Sequence, residues 1–501
     1  MKEVLVFGAG KSATILIDYL IENAEKENWF ITVVDANLLM AEQKIKGASR
    51  AKALSFNINN ADERNKVIAA ADIVISMLPA ALHYLVAGDC LQFEKNLLTA
   101  SYVDENIHQL ESQVIDKNII FLCEMGLDPG IDHMSAMKMI DEIHAAGGRI
   151  TCFKSHCGGL VAPESDDNPW RYKISWNPAN VVNAGKAGAI FKENNEVKKL
   201  DYTSLFSTKN FTDVPGIGVL SWYPNRDSLG YENLYGLNAT KTFIRTTLRH
   251  SDFMYGWKNV IALHLTDEKE MYDTDGMSLA AFFKQHFDKN GFGKWVEEQL
   301  TQRFAQTKMM VENLMKLMEA EQEVEEGGEE IPESVLMVDE KGGLEKLDTE
   351  DIKANAAAVM AHKMHEANLT LKQLFFLGMD DSETIINKGT CSAADVLQLA
   401  LEKKLALRPD DKDMIVMLHE IEYEIAEKKF EIRSSLVVKG DDHIHTAMAK
   451  TVGLPLGIAA KLILNGKINL KGVQIPTKKE IYEPVLNELA MLGIKFNELR
   501  K

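Results

Sequence analysis

Cysteine is scarce and unpatterned in this chain. Five residues (Cys90, Cys123, Cys152, Cys157, Cys391) are spread over 501 positions; an odd number without CxxC spacing argues against a disulfide framework and against a zinc ribbon. No HxxxH pairing stands beside them, so no metal is expected. Positive charge is also short. Lys and Arg number 56 against 74 Asp and Glu, a formal net charge of −18, and so acidic a surface is repelled by nucleic-acid phosphates and by anionic lipid. Neither nucleic acid nor a membrane is expected as a partner; a small molecule is. The reading finds no apolar run of membrane-spanning length. The N-terminus, MKEVLVFGAG, opens directly on a strand with no charged leader and cleavage site before it. A soluble cytoplasmic protein is the expectation.

A hydrophobic fraction of 46% is ordinary for a globular protein, and the length calls for about two or three domains. The first segment alternates strand-length apolar runs (EVLVFG, FITVVD, ADIVISML, NLLTAS, IIFLCEM) with helix-period stretches such as SATILIDYLIENA. That alternation predicts an α/β fold with a doubly wound parallel sheet of the Rossmann type over residues 1–133, with a C-terminal return over 445–501. From Arg149 the strands grow longer and amphipathic (RITCFKSHC, KTFIRTTLR), which predicts a second, α+β substrate domain over 134–250 with 430–444. Helical periodicity then dominates, predicting an inserted all-α domain over 251–429. Within it lies an acidic loop, 319–350, whose first part, Glu319 to Glu333, contains no Lys or Arg and reads as a solvated insertion.

The sharpest local signal is VLVFGAGKSATILIDYL, a strand, a GxGxxA turn at Gly8, Gly10 and Ala13, and a helix. Gly8 allows the tight turn, Gly10 admits a pyrophosphate to the backbone, and Ala13 permits close packing of helix on strand, with Lys11 and Ser12 at the helix N-terminus beside the phosphates. The second strand ends at Asp35 at the spacing of a dinucleotide site. An acid there accepts hydrogen bonds from the adenosine ribose and repels a 2′-phosphate, which favours NAD. Lys44, Lys46 and Arg50 lie close in sequence and keep NADP possible. ISMLP ends the fourth strand where the nicotinamide side of a cofactor lies, so Ser76 and Pro79 are further cofactor neighbours.

Three later segments deliver polar groups to the carboxyl edge of the sheet: TASY with Ser101 and Tyr102, EMGLDPGIDH with Glu124 and Asp128, and SHCGG with His156 and Cys157. A nucleophile built from Cys157 and His156 is disfavoured, because neighbours in a strand point to opposite faces. The remaining reading is a cleft in which Asp128, Tyr102 and Cys157 supply hydrogen bonds and proton transfer while a cofactor performs the redox step. Arg226 in YPNRDS, and Arg245 and Arg249 four apart in FIRTTLR, predict a substrate with several carboxylates.

GLDPGIDH, CGGLVAPESDDNPWRYKISW, YPNRDS and RTTLR, in this order and with similar spacings, resemble the glutamate-forming saccharopine dehydrogenases, also called saccharopine reductases. The resemblance covers most of Met1 to Ser251 and MAKTVGLPLGIAAKLILNG, with the helical region matched in outline. It implies a Rossmann domain, a substrate and dimerisation domain, an all-α insertion, a homodimer, and a place in lysine metabolism. The implied reaction oxidises saccharopine with NAD(P) and hydrolyses the imine to L-glutamate and 2-aminoadipate 6-semialdehyde. At matching positions the resemblance places Ser101, Tyr102, Asp128, Arg226, Thr247, Leu248 and Arg249 against saccharopine. Ser101, Gly130, Ile131, Asn177, Pro178 and Ala179 fall against the cofactor, with Pro129 beside them, and Asp128 and Cys157 near the reacting carbon. Fungal members carry Arg where this chain has Asp35, and the acidic insertion is unlike shorter members. His133 reads as a structural residue of the first helical turn, Glu124 as a buried hydrogen-bonding one. A related dehydrogenase acting on another secondary amine, of the carboxynorspermidine kind, is the alternative; a polyamine needs acidic pocket residues where this chain has arginines.

Overall fold

The computed structural model describes residues 1–207, 209–294 and 369–501, with residues 301, 308 and 315 and the strands 334–338 and 344–348 between them. Two units divide the chain: residues 1–167, 171–251 and 405–501 form the first, residues 168–170 and 252–404 the second.

In the first unit the apolar runs become the parallel strands β1 (Lys2–Phe7), β2 (Trp29–Asp35), β3 (Ala51–Ser55), β4 (Ile73–Ser76), β5 (Asn96–Thr99) and β6 (Ile120–Leu122). A seventh strand, Gly472–Gln474, pairs with β6, and from it the sheet runs β6, β5, β4, β1, β2, β3. Covered faces on both sides explain why these strands are apolar at nearly every position. Leu5, Phe7, Val74 and Leu97 enter one core, and Val4, Val6, Ile73, Ile75 and Leu98 the other. The order reverses between β1 and β4, where Phe7 lies opposite Ser76. Ligands of open α/β sheets settle outside the strand ends at such a reversal.

The helix Ala447–Leu464 corrects the expectation about apolar runs. By length and composition it is able to cross a membrane, yet it is a core helix lying against the helix Thr14–Asn23. Gly453 and Gly457 make that approach possible. A Cβ on Gly453 would stand 2.8 Å from the Leu16 backbone nitrogen, and one on Gly457 would stand 2.6 Å from the Tyr19 ring. Its buried Leu454, Leu456, Ile458 and Leu462 each contribute about 1.5–3 kcal/mol by leaving water, which is what the high hydropathy serves.

A second, mixed sheet of ten strands is built around β7 (Arg149–Val161). β7 runs parallel to β13 (Thr242–Arg249) and antiparallel to the strand Asp413–Ile425. Beyond β13 lie β11 (Gly218–Pro224) and β10 (Phe211–Val214), with β8 (Ala189–Glu193), β9 (Glu196–Leu200) and β12 (Arg226–Asp227) attached beside them. On the other side the strands Lys428–Lys439 and Asn497–Arg500 complete the sheet.

Several expected boundaries move. Residues 413–425, expected at the end of the helical insertion, form a strand at the heart of the mixed sheet. The end of the C-terminal return, Asn497–Arg500, joins the mixed sheet instead of the Rossmann sheet. The segments 1–133 and 134–250, expected as separate domains, share one unit, because the helix Ile131–Ala145 places Met134 and Ile140 in a core common to Val6 of the first sheet and Phe153 and Ile415 of the second. The second unit is mainly helical and includes Leu279–Asn290 and Ala393–Lys404. It also carries short strands: Met271–Asp273 pairs with Thr390–Ser392, and residues 334–338 pair with 344–348. The acidic run Glu319 to Glu333 lies outside the described residues.

Candidate active site

The glycine turn follows β1. Gly8 has a φ of 96° and donates its N–H to the Val34 carbonyl at 2.8 Å. A Cβ there would stand 2.9 Å from the Met77 carbonyl oxygen, so packing within the chain already demands glycine. Gly10 is different, because a Cβ on it would meet no atom of the chain within 4 Å. Nothing within the chain demands glycine there, and the open space leaves room for a pyrophosphate on the backbone before the helix. Lys11 is exposed, Ser12 half-buried and Ala13 buried at that helix start. Asp35, at the end of β2, accepts hydrogen bonds from the N–H groups of Ala9, at 2.8 Å, and Asn37, at 2.9 Å, which fixes a carboxylate beside the turn. Of the three nearby basic residues, Lys46 pairs with Asp18 at 2.8 Å, Arg50 donates to Asn28 at 3.4 Å, and Lys44 donates to the Thr14 hydroxyl.

GLDPG is a turn closed on itself between β6 and the helix Ile131–Ala145. The Asp128–Pro129 bond is cis and Gly130 has a φ of 146°. A Cβ on Gly130 would fall 2.0 Å from the Gly126 carbonyl oxygen, so no other residue fits. The helix start gathers its own acceptors: Gly130 N–H donates to Asp132 Oδ1 at 2.6 Å, and Asp132 N–H donates to the Leu127 carbonyl at 3.1 Å.

This turn aims Asp128 at the second sheet. One nitrogen of Arg245, Nη2, stands 2.7 Å from Asp128 Oδ1 and 2.7 Å from Asp132 Oδ2. The guanidinium lies 4.4 Å from the Tyr231 ring centroid, and Tyr102 donates to Asp128 Oδ1 from 3.4 Å. The two carboxyls are driven apart. Burial, and then the Asp132 charge, push the Asp128 carboxyl above its ordinary value despite Arg245. Burial also works against Asp132, but His133, Arg245 and the Gly130 N–H outweigh it and hold its carboxyl low. Burial, reinforced by Asp128 and Asp132, pushes the Cys157 thiol well up, so Cys157 is a neutral group beside the pair. Thr247 pairs with Cys157 across β13 and β7, and Arg245 and Arg249, two residues either side of it, share its face of the strand.

Behind the turn, Glu124 and His133 form a second buried set. Glu124 Oε1 accepts from the Val103 N–H at 3.1 Å; Oε2 meets His133 Nε2 at 2.8 Å and accepts from Tyr231 at 3.1 Å. His133 Nδ1 is bonded to the Tyr235 hydroxyl. Both residues are buried, Glu124 4% and His133 0% exposed.

The structure thus joins Tyr102, Asp128, Arg245 and Cys157, and Arg226 with them, its guanidinium 5.3 Å from the Tyr102 ring centroid. Arg245 departs from the expectation of an arginine held out to a ligand, since its charge is taken by Asp128 and Asp132 within the protein. Arg249 lies 5.3 Å from the Tyr172 ring centroid and donates to the Leu248 carbonyl at 2.8 Å. Thr247 stands opposite Cys157 across β13 and β7. Leu248 and Ile131 are fully buried, backbone included; the Ile131 N–H donates to the Gly126 carbonyl at 2.9 Å. Asn177 caps the short helix Pro178–Val182, its Oδ1 accepting from the Ala179 N–H at 3.0 Å. Ser76 is buried and Pro79 exposed at the end of β4. Sequence reasoning missed Asp132, Tyr231 and Tyr235, as well as His83, which sits between Ser76 and Ser101. The four-residue spacings of Asp128 with Asp132 and of Tyr231 with Tyr235 were the only signals.

A turn with room for a pyrophosphate at the reversal of a parallel sheet defines the class: an NAD(P)-binding oxidoreductase of Rossmann type, with a second sheet bringing charged groups to the strand ends. The chain belongs to the saccharopine dehydrogenase family. Residues 4–122 match the family's NADP binding domain and residues 126–494 its C-terminal domain. The chain is 31% identical to an alpha-aminoadipic semialdehyde synthase of Arabidopsis thaliana, over 99% of this chain and 44% of that protein, so it spans less than half of that relative. It is 30% identical to the NADP(+), L-glutamate-forming saccharopine dehydrogenase of Schizosaccharomyces pombe, over 99% of both. The structure of saccharopine dehydrogenase (L-Glu forming) from Saccharomyces cerevisiae superposes with a TM-score of 0.77 at 27% identity, covering 100% of each chain.

Proposed function

We propose that the protein is an L-glutamate-forming saccharopine dehydrogenase that uses NAD or NADP. The observation that carries this reading is the Asp128 carboxyl, raised in pKa and held by Arg245 and Tyr102 beside the neutral Cys157, at the carboxyl edge of a dinucleotide-binding sheet. Residues 8–13, Asp35 and Pro79 would hold the cofactor, with Asn177 to Ala179 covering it, while the buried Ser76 and Pro129–Ile131 would shape the strand ends behind it. When bound, the nicotinamide accepts the hydride from the carbon that carries the secondary amine. Asp128 exchanges protons with that amine and with the water that adds to the imine carbon, and Tyr102 and Cys157 orient them. Glutamate leaves as the amine when the resulting carbinolamine collapses to the semialdehyde. Arg226 and Arg249 receive substrate carboxylates, with Ser101 and Thr247 as hydrogen-bonding neighbours. A polyamine would meet these same guanidinium groups and be repelled.

The test is reduced-nicotinamide formation by the purified protein with saccharopine, with NAD and NADP at equal concentration and the products identified. Release of glutamate and the semialdehyde is the expected result; nucleotide binding without turnover would move the substrate to another secondary amine. We take NAD as the preferred cofactor, on the support of the fixed Asp35 carboxylate, although the fission-yeast relative's name specifies NADP(+). Asp35→Ser is then expected to shift the ratio of kcat/KM values toward NADP by about tenfold, the scale of one removed charge repulsion near the surface. A ratio that stays put would show that Asp35 serves only the turn.

A further inference from the structure

His83 is used by no part of the reading above, yet it is set into the strand ends with unusual completeness. It opens the helix His83–Gln92, is 2% exposed, and has both ring nitrogens bonded: Nδ1 lies 2.8 Å from Ser76 Oγ and Nε2 lies 2.9 Å from Ser101 Oγ. Ser76 belongs to β4 and Ser101 follows β5, so the imidazole spans two adjacent strand ends at the edge where the cofactor and substrate meet. Burial pushes its pKa down to about 4, so the ring is neutral near pH 7, with one nitrogen that donates and one that accepts.

Which nitrogen donates follows from Ser76. Its side chain is fully buried, and His83 Nδ1 is its one hydrogen-bond partner among the described residues. A buried hydroxyl whose proton finds no acceptor costs about 1–3 kcal/mol, so the Ser76 hydroxyl donates to Nδ1. The ring proton is then on Nε2, which donates to Ser101 Oγ. With that lone pair occupied, the Ser101 hydroxyl proton is left to point at a ligand.

We propose that His83 is a positioning residue that fixes Ser101 as a hydrogen-bond donor to a substrate carboxylate, its tautomer set by Ser76. This rests on the reading that Ser101 faces saccharopine. A Ser101 hydroxyl whose proton went to the imidazole would offer a ligand only lone pairs; with Nε2 as the donor, its proton is available for a carboxylate oxygen.

The experiment compares steady-state kinetics of full-length variants. Ser101→Ala is expected to raise the KM for saccharopine about tenfold, the scale of one hydrogen bond to a charged group, with kcat changed less than about threefold and the cofactor KM unchanged. His83→Asn keeps an acceptor near Ser76 but loses the reach to Ser101, and should match Ser101→Ala. His83→Gln places an amide N–H near the Nε2 position and should restore most of the KM. Ser76→Ala leaves the ring in place with neither tautomer enforced and should raise KM by a smaller factor. Adding His83→Asn to Ser101→Ala should raise KM no further. Equal losses in the Asn and Gln variants, additive losses in the double variant, or an unaltered KM in Ser76→Ala would each overturn the role of His83 while Ser101→Ala still shows its own defect. An unaltered KM in Ser101→Ala itself would overturn the reading of Ser101 as a substrate contact, and the proposal with it.

Discussion

Arg245→Ala is expected to lower the stability of the folded protein by about 3–5 kcal/mol at neutral pH, the cost of removing one partner from a buried ionic set. Arg245 is 4% exposed, and its Nη2 serves both Asp128 and Asp132, so the substitution strands two carboxyls at once. The effect has a pH signature. Asp132 is held below its ordinary value of 3.8, so its share of the stability is present above that value and is lost as the pH falls through its lowered folded pKa. Without Arg245 that share shrinks, while His133 and the Gly130 N–H still hold part of it. The gap between wild type and variant should therefore be widest near pH 7 and narrow as the pH falls below about 4. Urea unfolding midpoints at pH 7 and at about pH 2, below the ordinary carboxyl range, measure it. A gap that is small at both would show that the Arg245 charge is compensated elsewhere. Arg245→Lys, with one ammonium in place of a planar fork and no ring-stacking guanidinium, should recover only part of the loss.

Asp128→Asn is expected to reduce kcat with saccharopine by roughly 10²-fold or more, the scale on which a positioned acid or base contributes. The amide oxygen can still accept from Arg245 and Tyr102, so the architecture stays while proton exchange is abolished. In the wild type the pKa of Asp128 is raised by burial and by the Asp132 charge, so the acidic limb of the kcat/KM profile should fall at a pH above the ordinary carboxyl range. That limb should be missing in the variant. A loss of only a few-fold, with the limb retained, would reduce Asp128 to a clamp on Arg245 and shift the proton transfer to the substrate amine itself. Stability should change little, which separates this variant from Arg245→Ala.

The parts of the site legible in the sequence are those written in contiguous residues. The Gly8 and Gly10 turn, Asp35 at the end of β2 and GLDPG after β6 all depend on local backbone geometry, and local geometry is what residue types specify. The partnerships across the two sheets were not legible. Asp128 and Arg245 are 117 positions apart, Glu124 and Tyr231 are 107 apart, and nothing in FIRTTLR marks Arg245 as neutralised and Arg249 as lying against Tyr172. The misplaced end of the insertion has a different cause. DMIVMLHEIEYEI holds two Met, one Leu and three Glu, which favour helix in isolation, beside three Ile, a Val and a Tyr, which favour strand. Paired between β7 and Lys428–Lys439, the same residues are held extended by neighbours far away in sequence, a case of tertiary context overriding propensity. His83 gave no signal beyond being a lone histidine after ISMLP, because its meaning depends on two serines from different strand ends.

The chain's return to the first unit after residue 404 has a consequence for the order in which the protein is made. The parallel sheet has its β1 to β6 strands within the first 122 residues, but the free edge of β6 is not covered until Gly472–Gln474 arrives. The helix Ala447–Leu464, which lies on the first helix of the nucleotide site, arrives only shortly before. During synthesis the nucleotide-binding sheet therefore emerges before the second unit and is completed only after it, with an exposed strand edge and a bare apolar face in the interval. At roughly 5–20 residues per second, that interval lasts on the order of tens of seconds.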